Sequence, residues 1–364
     1  MIDFLLVIDK RARLSPSELE FMEGLGDLRH TRTDERSHHR AHHSRLWVWH
    51  SSVTPFTSIQ QNLLCDGAGL DLYEGHALDH RGLPISSVGA YLSAAGGDVR
   101  GHFLHVRVDP TGTGRIVRSR LPVHQVYYAE DEGTAVASSR AMIAAAAAAG
   151  TTRLELDPEF VRSVVSMSIV GHYGTAFSHV RFLGVDESLS FGPEGLNVVA
   201  SGPGFIVDPN LTEEYRRSPE RYWDEATERL KASMKLLDLT DDELDCQLSG
   251  GKDSRLVLAL LLATGRRDRI TGVHTWGPNV SPEVRAARGV CEIVGLPHRN
   301  VDTTTVESDR DVPLADKLAA HLLTTEGEMS PLDLLPLDMT WRLQPDHRTL
   351  VTGQVAGLRD QAED

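Results

Sequence analysis

The run Ser249-Gly250-Gly251-Lys252-Asp253-Ser254 stands between a period-two apolar stretch, Leu244, Cys246 and Leu248, and the apolar run LVLALLLATG (256–265), which closes on Gly265. Strand, glycine-rich turn and helix in that order predict the junction of a parallel sheet, since alternating strands and helices pack with the helices as right-handed crossovers. The pattern continues. ITGVHTW (270–276) reads as a second strand, and Ser281-Pro282-Glu283 opens a further helix with Ser as N-cap, Pro at the first helical position and an acid in the first turn. That helix closes at Gly295.

The turn also has a chemistry. A nucleotide site in a parallel sheet lies beyond the carboxyl ends of its strands. Gly250 and Gly251 let the backbone approach an anion, the free N–H groups and positive dipole end of the helix favour negative charge, and Ser249 and Ser254 add hydroxyl donors. Asp253 repels a phosphate, so its carboxylate makes sense as a magnesium ligand bridging to phosphate oxygens. The plainer reading is a turn with Ser and Asp as helix caps. A Walker A loop is excluded, because Gly251-Lys252 is followed by Asp253 where Ser or Thr is required. GxGxxG is absent too: Gly112-x-Gly114 runs on to Val117, and Gly202-x-Gly204 to Val207.

Residues 1 to about 205 follow another grammar. Short alternating segments such as HFLHVRVD (102–109) and HQVYYAED (124–131), broken by Gly, Pro and Asp, predict strands and hairpins. The expected helices here are about 139–149 and 157–168, the latter with Asp157 as N-cap before Pro158. The first half is therefore α+β. Gly, Pro and Asn concentrate in GPGFIVDPNLTEE (202–214), which places a linker at 206–215, and 221–238 reads as a long amphipathic helix leading into the α/β domain, 216–364.

SGGKDS at 249–254 resembles the SGGxDS motif of the pyrophosphatase-loop family, whose members cleave ATP between the α- and β-phosphates. Within that family the order of Asp109-Pro110, Gln125-Val126-Tyr127-Tyr128, Ala137-Ser138-Ser139, Leu156-Asp157-Pro158 and Phe182 to Leu189 is similar to the glutaminase domains of asparagine synthetases. The resemblance spans nearly the whole chain. It implies an Ntn-hydrolase-like β-sandwich flanked by helices over 1–205, then an adenine nucleotide α-hydrolase-like α/β domain. It further implies an ATP-dependent, AMP-forming amide ligase that uses ATP and Mg2+ on a small-molecule carboxylate and an amine. The implied nucleotide-binding set is Leu248, Ser249, Gly250, Gly251, Lys252, Asp253, Ser254, Thr275 and Gly353, with Asp253 also the metal ligand; the catalytic residues stay open.

Two departures matter. The family's glutaminases attack with a Cys at the mature amino terminus, whereas position 2 is Ile and Cys65 lies deep in the chain, so no glutamine hydrolysis is expected, as in β-lactam synthetase-like relatives. The family's TGxGGDE-like turn appears as Thr352-Gly353-Gln354-Val355-Ala356-Gly357, with Gly357 at the acid position, and the chain ends at Asp364. The expectation is either a homodimer or a complex with a separate carboxy-terminal polypeptide, with the helix at 331–343 seeking a partner, and the alternative function is a non-catalytic or half-enzyme subunit.

Other residues carry two readings each. Trp276 is either a wall of the adenine pocket or a core aromatic, and Arg285 and Arg288 either meet phosphate or form a solvated helix face. Glu326 and Glu328 lie where the family binds its acceptor, but loop acids are commonly just solvated. His38, His39, His42 and His43 read as a mobile polar loop, since no partner with ligand spacing accompanies them. A net charge of −15 disfavours nucleic acid, and with it a tRNA-modifying adenylase. Cys65, Cys246 and Cys291 show neither disulfide nor zinc spacing, which fits a cytoplasmic protein, and the alanine tract 141–149 is far shorter than the ~20 residues of a membrane span.

Overall fold

The computed structural model describes residues 2–11, 14–28, 35–50, 59–94, 99–119, 124–167, 174–200, 209–239, 243–302, 304, 313 and 348–352. The chain forms two compact units, the first Met1–Asp208 with Val312–Leu334 and the second Pro209–Asp311 with Leu335–Asp364. In the first run β1 (Ile2–Asp9), α1 (Pro16–Gly24), β2 (Glu35–Arg40), β3 (Ser44–His50), α2 (Ile59–Asn62), β4 (Leu63–Asp66), β5 (Gly69–Leu78), β6 (Pro84–Ile85) and α3 (Val88–Ala94). There follow β7 (Arg100–Val108), β8 (Gly114–Arg118), β9 (Tyr127–Glu130), β10 (Thr134–Ser138), α4 (Ala141–Ala149), α5 (Pro158–Met167), β11 (Arg181–Phe182), β12 (Glu187–Gly192) and β13 (Gly195–Ala200).

These strands make two antiparallel sheets, ordered β11-β9-β10-β1-β3-β2 and β13-β12-β8-β7-β5-β4, with β6 on β5. The unit is α+β, as expected. β1 explains the layering. All of its residues are buried, which an alternating half-buried strand never shows, because each of its faces has a core of its own. Ile2, Phe4, Leu6 and Ile8 join Leu72, Leu104, Val106 and Ile116 between the sheets. Leu5 and Val7 join Trp47, Trp49 and Val136 beneath α4. The alanine tract forms that helix: side chains of one carbon let its axis sit close on the sheet, and Ala144, Ala145 and Ala146 are fully buried. Among the described residues no helix is long and apolar enough to cross a membrane.

Three local readings change. The His-rich segment is not a loop at 35–40: it is edge strand β2, paired with β3, and His38 stacks on Trp47 at a centroid distance of 4.5 Å. Strand preference is decided by cross-strand neighbours more than by residue type, and the indole face supplies one. Helix α1 is not among the helices expected from the sequence, although Ser15-Pro16-Ser17-Glu18 spells its capping box: Ser15 Oγ accepts from Glu18 N at 3.2 Å, and Glu18 Oε2 accepts from Ser15 N at 2.6 Å. Helix α3 was likewise not anticipated; it covers the outer face of β5 and β7 through Val88 and Tyr91.

The second unit runs α6 (Pro209–Arg217), α7 (Pro219–Ser233), β14 (Glu243–Gln247), α8 (Lys252–Ala263), β15 (Ile270–Trp276), α9 (Pro282–Val294), β16 (His298–Val301) and β17 (Arg348–Val351). Of the expected linker, residues 209–215 belong to α6, started by Pro209 at the first helical position, with Arg216 and Arg217 favourable at its carboxyl end. The helix expected over 221–238 ends at Ser233 and passes into a 3-10 turn, Met234–Leu239. The sheet is fully parallel, in the order β16-β15-β14-β17. Leu244, Cys246 and Leu248 face Leu258 and Leu261 of α8 and Ala287 and Cys291 of α9. Burial pushes the Cys246 thiol up to about 12, so it behaves as a core hydrophobe.

Candidate functional site

β14 lies between β15 and β17, and the Ser249–Ser254 loop leaves its carboxyl end. Leu248 continues the ladder by one residue, its N–H donating to the His274 carbonyl at 2.8 Å. The chain then turns into α8, whose N-cap is Gly251 (φ −71°, ψ 159°), with no side chain capping the first turn. Amide donors are thus left for a ligand or water at the end of the helix that carries positive dipole.

The two serines are hydrogen-bonded within the loop. Ser254 Oγ accepts from Ser249 N at 3.0 Å and lies 3.1 Å from Ser249 Oγ, which in turn accepts from Gly251 N at 3.1 Å. Ser254 is buried. The hydroxyls brace the loop before they address any ligand. Gly250 is needed for a close approach: a Cβ there would sit 3.3 Å from Glu283 Cα and 3.5 Å from Ala286 Cβ, at the start of α9. Ser281 Oγ caps α9 by accepting from Val284 N at 3.2 Å, so two helix starts meet beside the loop.

Lys252 and Asp253 are both exposed on the first turn of α8. Among the described residues no three His, Cys, Asp or Glu side chains converge as a metal cluster. Arg255 was missed in the sequence; it is exposed, and its Nε donates to the Gly251 carbonyl at 3.1 Å, which folds the guanidinium back to the loop. Its one signal is adjacency to the motif.

Thr275 is buried, and its hydroxyl is already engaged: Oγ1 donates to the Leu248 carbonyl at 2.7 Å and lies 2.9 Å from His298 Nε2. Trp276 is half-buried and meets His274 edge-on, and His274 Nδ1 is 3.0 Å from Asp245 Oδ1, a buried pair across β15 and β14. Arg285 and Arg288 are exposed on α9. β17 pairs with β14 up to Val351 opposite Cys246, so Thr352 leaves the sheet at the end where the loop lies. Gly353, Gly357, Glu326, Glu328 and the 331–343 segment fall outside the described residues.

In the first unit the amino-terminal end of β1 meets acid and imidazole. Glu74 Oε1 accepts from Ile2 N at 2.9 Å, and Glu74 Oε2 is 3.7 Å from His124 Nδ1. His76 and His102 are cross-strand partners on β5 and β7. Burial, then His102 and His76, push His124 down to about 4. Cys65 lies instead on edge strand β4, its Sγ 3.4 Å from His39 Nδ1, and burial followed by Asp66 and Asp71 raises its pKa, opposite to the shift a nucleophilic thiol needs. Incubated with glutamine, the protein is expected to release no glutamate above the buffer rate, and any release above that rate would overturn this.

No protein-family model matches the chain, and no curated protein matches it. Among solved structures it is similar to glutamine phosphoribosylpyrophosphate (PRPP) amidotransferase from B. subtilis complexed with ADP and GMP, at a TM-score of 0.35 and 9% identity over 85% of this chain and 69% of that one. It is similar also to a structure described as the allosteric regulatory enzyme of purine biosynthesis, at a TM-score of 0.34 and 10% identity over the same shares of the two chains.

Proposed function

We propose that the chain is an ATP-dependent, AMP-forming amide ligase of the asparagine synthetase-like class, with a degenerate glutaminase-like domain over 1–205 and the nucleotide domain over 216–364. The observation that supports this most is the Ser249–Ser254 loop at the carboxyl end of a middle strand of a parallel sheet, opening a helix whose first turn no side chain caps. In this reading a substrate carboxylate attacks the α-phosphate of ATP, pyrophosphate departs against the amides at the start of α8, and an amine then displaces AMP from the acyl adenylate. Lys252 and Arg255 offset charge on the departing group. Asp253 would hold magnesium, which neutralises phosphate charge when bound. Gly353 belongs to the nucleotide-binding set by the same family resemblance.

A second reading, a non-catalytic or half-enzyme subunit completed by a separate carboxy-terminal polypeptide, draws on Gly357 standing where the family carries an acid. Exchange of labelled pyrophosphate into ATP, run over a panel of amino acids and other small carboxylates, separates the two. Carboxylate-dependent exchange by the chain alone is expected from a ligase. Mg·ATP binding without exchange on any carboxylate, restored by a co-expressed partner, would favour the second.

A further inference from the structure

We propose that His298 is a positioning residue for the nucleotide loop, acting through Thr275 on the peptide that joins β14 to that loop; this rests on the nucleotide reading of Ser249–Ser254. The direction of each hydrogen bond follows from counting protons. The Leu248 carbonyl can only accept, so the single Thr275 hydroxyl proton lies on the 2.7 Å contact between them. Thr275 Oγ1 then has only lone pairs left for His298 Nε2 at 2.9 Å, and that nitrogen must carry a hydrogen. The ring is thereby fixed as its Nε2–H form, and burial, with Arg288 and His274 after it, lowers its pKa in keeping with a neutral imidazole.

The chain continues past the carbonyl. Leu248 C=O and Ser249 N–H belong to one planar peptide unit, so orienting one orients the other. Ser249 N–H points to Ser254 Oγ at 3.0 Å, in the first turn of α8. A single run of bonds therefore crosses from β16 through β15 and the end of β14 into the helix that presents the amides, and such chains strengthen one another in a low-dielectric interior. Leu248 N–H is held separately, by the His274 carbonyl. Both backbone groups of Leu248 are thus held from β15, and the His298–Thr275 pair orients the hydroxyl that holds the carbonyl, so loosening that pair lets the Leu248–Ser249 peptide tilt.

Substitution can read the relay because glutamine places its amide nitrogen near the position of Nε2, whereas asparagine places it near Nδ1. Mg·ATP affinity by calorimetry is expected to fall about tenfold for His298→Leu and His298→Asn, the worth of roughly one hydrogen bond. His298→Gln is expected to restore it. Thr275→Val, isosteric but without the hydroxyl, should fall at least as far, and Thr275→Ser should not. The relay is also read without nucleotide: amide hydrogen exchange at Ser249 and Gly251 should quicken in the Leu, Asn and Val variants and remain slow in the Gln and Ser variants. Wild-type protein that binds no nucleotide would defeat the nucleotide reading, and the exchange pattern would still decide the relay. Exchange rates that ignore all five substitutions, or a Gln variant that behaves as Leu does, would overturn it.

Discussion

Replacing Asp253 with alanine is expected to remove most of the gain in ATP affinity that magnesium gives. Asp253 is exposed on the first turn of α8, beside amides that favour an anion, and a carboxylate there repels phosphate unless a cation stands between them. With Mg2+ present, Asp253→Ala should weaken ATP binding about 10- to 100-fold, the scale of losing a group that supports a metal. Without Mg2+ it should bind ATP at least as well as the wild type. Lys252→Ala acts as the comparison: an exposed ammonium contributes as a screened point charge, and a loss of about threefold, shrinking with added salt, is expected. Calorimetry with and without magnesium checks both variants. Equal losses for the two, or a loss for Asp253→Ala that persists without magnesium, would remove Asp253 from the role of metal ligand. An acid in the first turn also favours the helix itself by about 0.3–1 kcal/mol, which thermal melts would register separately.

The second large effect is acid sensitivity of the first unit. His124 has an ordinary pKa of 6.5 when the chain is unfolded and about 4 when folded, mainly through burial and then through His102 and His76. His76 is lowered in the same direction, by burial and by His102. The unfolded chain therefore takes up the proton first, so stability falls as pH drops from about 6.5 to about 4 and does not fall further through this residue below that. The His124 contribution is about 3 kcal/mol across the window, a large share of the stability of a domain. The direction is that of a buried neutral base, and it precedes most carboxylate titration. Melts at about pH 7 and about pH 5 should differ by several degrees in the wild type and much less in His124→Gln. A variant as acid-labile as the wild type would show that the instability arises elsewhere.

How far the sequence reached depends on whether a residue's environment is local. The order strand, SGGKDS, helix was legible because each piece is set by neighbours within a few positions, and β15 falls at 270–276 as its apolar period indicates. Asp157 caps α5, accepting from Glu159 N at 2.8 Å, and Ser281 and Gly295 bound α9, since caps answer backbone groups only a few residues away. The capping box of α1 is equally local and was equally legible, although that helix was not expected.

What required the tertiary structure is what joins residues distant in the chain. No periodicity in 2–9 could announce that β1 is covered on both faces, because that depends on two sheets and a helix layer arriving from elsewhere. The histidine-rich segment follows the same rule in miniature: His38 belongs to a strand because Trp47 lies beside it. His76, His102 and His124 become one group only when β5 and β7 pair and residue 124 reaches them; Thr275 and His298 become a relay only when β15 and β16 align. By itself the sequence determined that a glycine-rich loop beginning at Ser249 joins a strand of a parallel sheet to a helix. Only the tertiary structure decided that Arg348–Val351 pairs beside β14, that the loop's own serines are spent on bracing it, and which side chain fixes the tilt of its first peptide, because hydrogen bonds between separate strands are chosen by packing and not by the order of residues along the chain.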